Sequence, residues 1–247
     1  MRGFLDLTWT DLKLYLREPI GMFFTIAFPP LLVLLLGLIF GNEPSEELGG
    51  LGAMDVAMPA FTALIVGMIG LIPVPITITD QRSKGVLRRY RATPLRPLTF
   101  IAADVVCNLV MTFVGMAGLL LVGALAFRVS FEGSVLAVGA AVVLGALSMF
   151  SIGYVIASVA PNPRAANVIG MVIFYPMVYL CGTAMPTELL PQTVQKIAEF
   201  LPLTYVVRLL RGLWVGGSLG DYGTEIAVLL GIMVVATALA TRLFRWD

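Results

Sequence analysis

Six of the 16 Lys and Arg residues in this 247-residue chain fall within residues 80–97, DQRSKGVLRRYRATPLRP: Arg82, Lys84, Arg88, Arg89, Arg91 and Arg96. Ammonium and guanidinium groups at that density recognise anions, either lipid headgroups or a protein surface. If the stretch is helical from Asp80, whose charge suits a helix N-terminus, Val86, Leu87 and Tyr90 share one face at i, i+1 and i+4. Thr93-Pro94 ends such a helix, and Pro97 resets the chain. A lipid surface accounts for the charge but gives no reason for the apolar face.

The groups that covalent chemistry needs are missing. The chain has no histidine, the commonest general base and metal ligand. Ser148, Ser151 and Ser158 lie in an apolar run with no lysine, histidine or aspartate facing them, so helix packing is the better reading than a nucleophile. No G-x-x-x-x-G-K-[ST] loop is present, and any ATP must be bound by another chain. Cys107 and Cys181 sit in apolar runs and read as small buried hydrophobes, not as a disulfide.

Stepping from these residues to what must hold them, 59% hydrophobic residues, 13% charged residues and a mean hydropathy of +0.95 describe a membrane protein. Asp6 and Asp11 precede the first apolar run and no small-residue cleavage pattern follows it, which reads as an uncleaved anchor. A hydrocarbon core of ~30 Å asks for about 20 apolar residues. Six runs qualify, near 22–40, 58–79, 98–127, 134–160, 165–185 and 222–244. The expected fold is therefore all-α, a polytopic bundle of six transmembrane helices forming one domain over residues 1–247.

Orientation follows from the basic residues, which are retained on the cytoplasmic side. With both termini inside, Arg2, Lys13, Arg17, the six residues of the basic stretch, Arg164, Arg242 and Arg245 are cytoplasmic. Arg128, Lys196, Arg208 and Arg211 are then outside, with Glu43, Glu46, Glu47 and Asp55 in the first outer loop. Within the crossings only Asp104 and Glu225, each near an end, are acidic. A proton- or sodium-coupled carrier would place such a group at mid-depth, and the two halves show no inverted repeat.

Two segments do not fit the count of crossings. Residues 1–19 alternate Leu5, Trp9, Leu12 and Leu16 with Asp6, Thr10, Lys13 and Arg17, the pattern of an amphipathic helix along the headgroups, ended by Glu18-Pro19. Residues 186–217 are cut by Pro191 and Pro202 into pieces too short to cross, expected as two short helices dipping in from the outer face.

The residues then meet a family. QRSKGVLRRYRATPLRP resembles the cytoplasmic segment between the second and third spans of the type-2 permeases of ABC exporters, with Asp80, Gln81 and Arg82 where many members have Glu-Arg-Glu. KLYLREP (13–19) is similar to the end of that family's elbow helix, SVAPNPRAANV (158–168) to its fourth-to-fifth connection, and CGTAMPTELLP (181–191) and FLPLTYVVRLLRGLW (200–214) to its outer re-entrant segment. The matches fall in order along nearly the whole chain.

That resemblance implies the permease subunit of an ATP-driven exporter for a hydrophobic or amphipathic molecule, drug-like or lipidic, in the cell (inner) membrane. The chain would not be an enzyme and would bind no cofactor. ATP and Mg belong on a partner ATPase, two copies of which would join two permease copies, as a homodimer. Residue by residue, Arg82, Val86, Leu87, Arg88, Arg89, Tyr90 and Arg91 match the coupling helix, and Asp11, Arg17 and Glu18 the elbow that touches the same partner.

For the substrate path the sequence points to Pro73 and Pro75, which favour a kink in the second span, and to Met171, Tyr175 and Tyr179 at helical spacing in the fifth. Ordinary helix packing explains the same spacing. A non-transporting scaffold or assembly factor that recruits a soluble protein through the basic helix is the alternative the residues leave open.

Overall fold

A computed structural model describes residues 2–17, 22–45, 50–86, 97–182 and 191–243. Among these residues the chain is helical throughout, with no strand. Helix α1 (Arg2–Arg17) is followed by a π-helical turn (Phe23–Ala27) that runs into α2 (Phe28–Phe40). Next come α3 (Ala53–Leu71), α4 (Pro73–Ser83), α5 (Pro97–Phe127), α6 (Val135–Val159) and α7 (Pro163–Leu180). Two short helices, α8 (Gln192–Ala198) and α9 (Pro202–Trp214), precede a 3-10 turn (Leu219–Tyr222) and α10 (Gly223–Leu243).

Among the described residues, four helical stretches are long and apolar enough to cross a membrane: Ala53–Ser83, Thr99–Phe127, Val135–Val159 and Leu219–Leu243. Thr25–Phe40 is a shorter apolar helix. At 31 residues α5 is about 46 Å long by helical rise, more than a straight crossing needs, so it tilts or projects into water.

Helix ends follow the local chemistry. Ser134 caps α6 by accepting from the Ala137 amide (3.4 Å), and Asn162 caps α7 by accepting from Ala165 (2.9 Å), with Pro163 at the first helical position. The start of α3 is capped from a distance. Asn42 Oδ1 accepts from the amides of Met54 (3.0 Å) and Asp55 (3.2 Å). The Asn42 Nδ2 group donates to Asp55 Oδ1 (3.2 Å) and to the Phe127 carbonyl (3.1 Å), and the Ser130 amide closes the knot on Asp55 (2.8 Å). One end of α2, α3 and α5 is thereby tied together.

The core is built around α3, buried along almost its whole length from Met58 to Leu71. It packs against α2, α5, α6, α7 and α9, while α10 lies outside on α6. Two prolines at the start of the first apolar run shape its contact with α5. Pro29 and Pro30 have no amide hydrogen, so the Thr25 carbonyl has neither an i+4 nor an i+5 donor, and the local helix opens into its π turn. That carbonyl rests on Gly115 of α5, where a Cβ would lie 2.7 Å from the oxygen. Gly37 of α2 likewise leaves room for the Phe127 ring, 2.2 Å from where its Cβ would be. The small residues that could mark an interface between chains are used here inside one.

Helix α1 packs one side against the bundle. Phe4, Leu7, Asp11, Leu12 and Tyr15 are half-buried on the side that meets α5, while Trp9 (64% exposed), Lys13, Leu16 and Arg17 face outward. The rotation is set by a tertiary contact: Tyr15 Oη lies 2.6 Å from Thr25 Oγ1.

Candidate functional site

The basic stretch leaves the bundle at the end of α4, so the site is built on how α4 is held. Pro73 and Pro75 break the second long helix at Ile72, as the sequence predicts. The Leu71 carbonyl loses its i+4 donor to Pro75, and Gly170 of α7 lies directly on it, with a Cβ there only 2.0 Å from the oxygen. Gly153 of α6 makes the same approach to the Gly70 carbonyl (2.1 Å). Because neither glycine has a side chain, α6 and α7 come to backbone contact with the kink, and their Cα–H groups face these two carbonyl oxygens.

Between the kink and the end of α4, Ile78 of α4, Phe100 of α5 and Ala157 of α6 form a small apolar cluster flanked by Ile101 and Tyr154. Arg82 lies above it, in the last turn of α4. Its Nη1 donates to the Ala157 carbonyl (3.0 Å) and its Nη2 to the Ala160 carbonyl. These acceptors belong to the C-terminal turn of α6, where backbone oxygens lack helical partners and a cation is favoured. Ala157 has a specific need, because residue 161, whose amide would have closed its bond, is proline.

Asp80 lies inside the last turns of α4 and not at a helix N-terminus, because α4 runs unbroken from Pro73 to Ser83. Its carboxylate pairs with Lys84 at 2.6 Å, one turn on. Gly85 then adopts φ 68°, a left-handed turn that suits glycine, and Val86 follows, half-buried. Leu87, Arg88, Arg89, Tyr90, Arg91 and Glu18 lie outside the described residues.

The elbow residues divide. Arg17 is exposed. Asp11 is turned toward α5, where it comes close enough to Asp104 to sense its charge. Its Oδ2 atom is buried with no hydrogen-bond partner, and burial pushes its carboxyl up to about 6. Asp104 itself is fully enclosed and accepts a 2.5 Å bond from the Tyr154 hydroxyl of α6. The polar chain continues down α5, with Asn108 Nδ2 donating to the Asp104 carbonyl (2.9 Å) and Thr112 donating to that of Asn108 (2.8 Å). Sequence reading noted Asp104 but missed its partner, although a tyrosine in an apolar run was the visible signal.

The substrate-path residues are not brought together. Pro73 and Pro75 sit against the inner side of α7, whereas Met171, Tyr175 and Tyr179 lie on its exposed side with Val168 and Val172. Phe174 and Met177 occupy the buried side between them. An apolar cavity of about 260 Å³ lies elsewhere, at the far end of the bundle, lined by Met58, Met116, Leu120, Phe131, Val138 and Trp214. Cys107 and Cys181 are both free and buried, as their runs predict. Among the described residues no group of acidic, cysteine or histidine side chains is placed to hold a metal ion.

Residues 2–214 match the family described as ABC-2 type transporter. The chain is 23% identical over 245 residues to "Daunorubicin resistance ABC transporter permease protein DrrB1" of Streptomyces coeruleorubidus, covering 96% of this chain and 84% of that protein. It is 31% identical over 99 residues to "Nodulation protein J" of Rhizobium leguminosarum bv. viciae, covering 40% of this chain and 38% of the relative. Similarity to "Probable multidrug ABC transporter permease YbhR" of Escherichia coli (strain K12) is 22% over 189 residues, 76% of this chain and 51% of that one.

Proposed function

Because the chain belongs to the ABC-2 type transporter family, a family of multi-pass membrane permeases, we propose that it is the transmembrane subunit of an ATP-driven exporter for a hydrophobic or amphipathic molecule. The reading is supported above all by one observation: the family match runs without a break from the amphipathic first helix through the basic stretch to the end of α9. Members of this family leave ATP hydrolysis to a separate subunit. ATP and Mg therefore belong to that partner. A drug-like cargo is favoured by the daunorubicin-resistance permease, which is matched over 96% of this chain.

In this reading six segments cross the membrane, the four long apolar stretches together with Thr25–Phe40 and α7, and both termini are cytoplasmic at the inner membrane. The ATPase docks on the stretch beyond Gly85, with Val86, Leu87 and Tyr90 as the apolar anchor and Arg88, Arg89 and Arg91 giving electrostatic register. Arg17 and Glu18 of the elbow flank it. ATP closure draws two such subunits together and displaces the helices joined by the docked stretch. The exposed side of α7, with Met171, Tyr175 and Tyr179, faces either a second copy of the chain or the cargo.

The test is co-purification with an ATPase whose turnover depends on this chain, followed by replacement of Val86, Leu87 and Tyr90 together by Ala. The expected result is normal insertion with cargo export lost and hydrolysis no longer stimulated by cargo. Unchanged export and hydrolysis would remove the docking assignment. A chain that retains no ATPase at all would return the reading to a scaffold.

A further inference from the structure

We propose that Arg82 is a positioning residue that makes the junction of α6 and α7 move as one body with the end of α4, so that a push arriving there reaches four helices and not two. Covalent connection alone would pass a displacement of residues 84–96 only to α4 and α5, the helices on either side of it. The guanidinium of Arg82 adds a second route.

Its geometry is specific. Arg82 belongs by sequence to the basic set, yet its Nη1 and Nη2 are spent on the carbonyls of Ala157 and Ala160. Both acceptor residues are buried, at 0% and 1% exposure, so water does not substitute for the cation. Pro161 removes the amide that would have served Ala157, and Ala160 is the residue at which α6 ends. The fork therefore supplies donors that this junction cannot make for itself, a need fixed by the sequence of α6 and not by the outside partner.

What is gripped also matters. Only Ala160, Pro161 and Asn162 separate α6 from α7, and Asn162 is the N-terminal cap of α7. Holding the Ala160 carbonyl thus holds the start of α7 as well. Ser158 donates to the Tyr154 carbonyl (2.7 Å) and reaches that of Ala240 in α10 (3.5 Å), so the same turn leans on a further helix. Beneath the fork, the Ile78, Phe100 and Ala157 cluster keeps α4, α5 and α6 in register. Lys84, two residues on, shows the contrast: it is exposed and pairs with Asp80 one turn back and, among the described residues, grips nothing across the bundle. A lysine at 82 would bring its three donors on one nitrogen, without the planar two-nitrogen fork that meets the two carbonyls separately.

The transmission role rests on the export reading for the source of the push, whereas the grip does not, and two measurements separate them. The first uses the purified chain in lipid nanodiscs and follows amide hydrogen exchange over residues 156–166 in wild type, Arg82→Gln and Arg82→Lys. Exchange there should rise at least tenfold in Arg82→Gln and less in Arg82→Lys, with the opposite end of α6 unchanged. Equal exchange in all three proteins would overturn the grip and the proposal with it.

The second uses vesicles holding the complex with its ATPase and reads cargo exported per ATP hydrolysed. Arg82→Gln should lower that ratio at least fivefold while the complex still assembles and hydrolyses ATP, and Arg82→Lys should recover part of it. A residue needed only for folding would lower export and hydrolysis together, and a wild-type ratio in Arg82→Gln would sink the transmission role. Faster exchange in Arg82→Gln alongside a wild type that exports nothing with ATP defeats both the export reading and transmission, and leaves the grip alone standing.

Discussion

The kink at Ile72 and the end of α6 face the same problem and solve it differently. In each, a proline removes the amide that should close a helical bond, Pro75 for the Leu71 carbonyl and Pro161 for that of Ala157. At the kink the orphaned oxygen is met by Gly170, a residue with no side chain, at backbone contact. At the end of α6 it is met by Arg82, the longest cationic side chain available. The first contact has no reach, and separation of the helices by the width of a methyl group destroys it. The second is a tether whose rotatable bonds let two helices shift a little without losing it. The kink is accordingly suited to be a fixed pivot, and the α6 end a place where force is passed on.

The strongest way to break this contrast is at the pivot. Gly170→Ala would put a Cβ 2.0 Å from the Leu71 oxygen, with backbone on both sides and nothing flexible to give way. The expected loss is about 3 kcal/mol in reversible unfolding of the detergent-solubilised chain. A loss under about 0.5 kcal/mol would show that the helices separate freely and that no pivot exists there.

At the tether the effect should be smaller and conditional. Arg82→Gln is expected to cost about 2 kcal/mol by leaving buried carbonyls unmet. In a Pro161→Ala background, where the amide of residue 161 is restored, the same substitution should cost about 1 kcal/mol less. Additive losses in that double-mutant cycle would mean that Arg82 acts through something other than the missing amide.

Asp11 extends the comparison to a half-buried group whose Oδ2 atom is buried and, among the described residues, meets no hydrogen-bond partner. Its carboxyl rises from 3.8 to about 6, so protonation is favoured in the folded chain. The stability this contributes is full below pH 3.8 and lost as pH rises through about 6. Asp11→Asn should therefore stabilise the chain at pH 7.5 by on the order of 1–2 kcal/mol after solvent screening, and flatten the thermal midpoint between pH 4 and 7. Lys84→Ala gives the lower bound. Its pair with Asp80 is exposed on both sides, and the expected change is about 0.3 kcal/mol, fading in high salt.

The sequence was most readable where a covalent fact dictates the outcome. Pro73 and Pro75 announce the break at Ile72, and Pro191 and Pro202 announce the short helices α8 and α9. Ser151 and Ser158 bond to carbonyls of their own helix, at 2.7 Å in each case, which is the packing role their surroundings implied. Less could be read where a choice between equivalent faces is made by a distant partner. The pattern of α1 permits more than one burial face, and the Tyr15 contact with Thr25 selects the one that takes Trp9 out and Asp11 in. Arg82 could not be told from its five basic neighbours by type or spacing, because what distinguishes it is an acceptor on a helix 75 residues further along. The Asn42 and Asp55 knot was hidden for the same reason. A loop asparagine carries no mark of the helix it will cap.

The seam between the first apolar run and α5 works like a key in a keyway. With the Thr25 oxygen seated on Gly115 and the Phe127 ring lodged over Gly37, neither rod can spin about its own axis without driving an atom into its neighbour. Any rearrangement must carry the pair as a single plank, hinged where the rest of the bundle lets it swing.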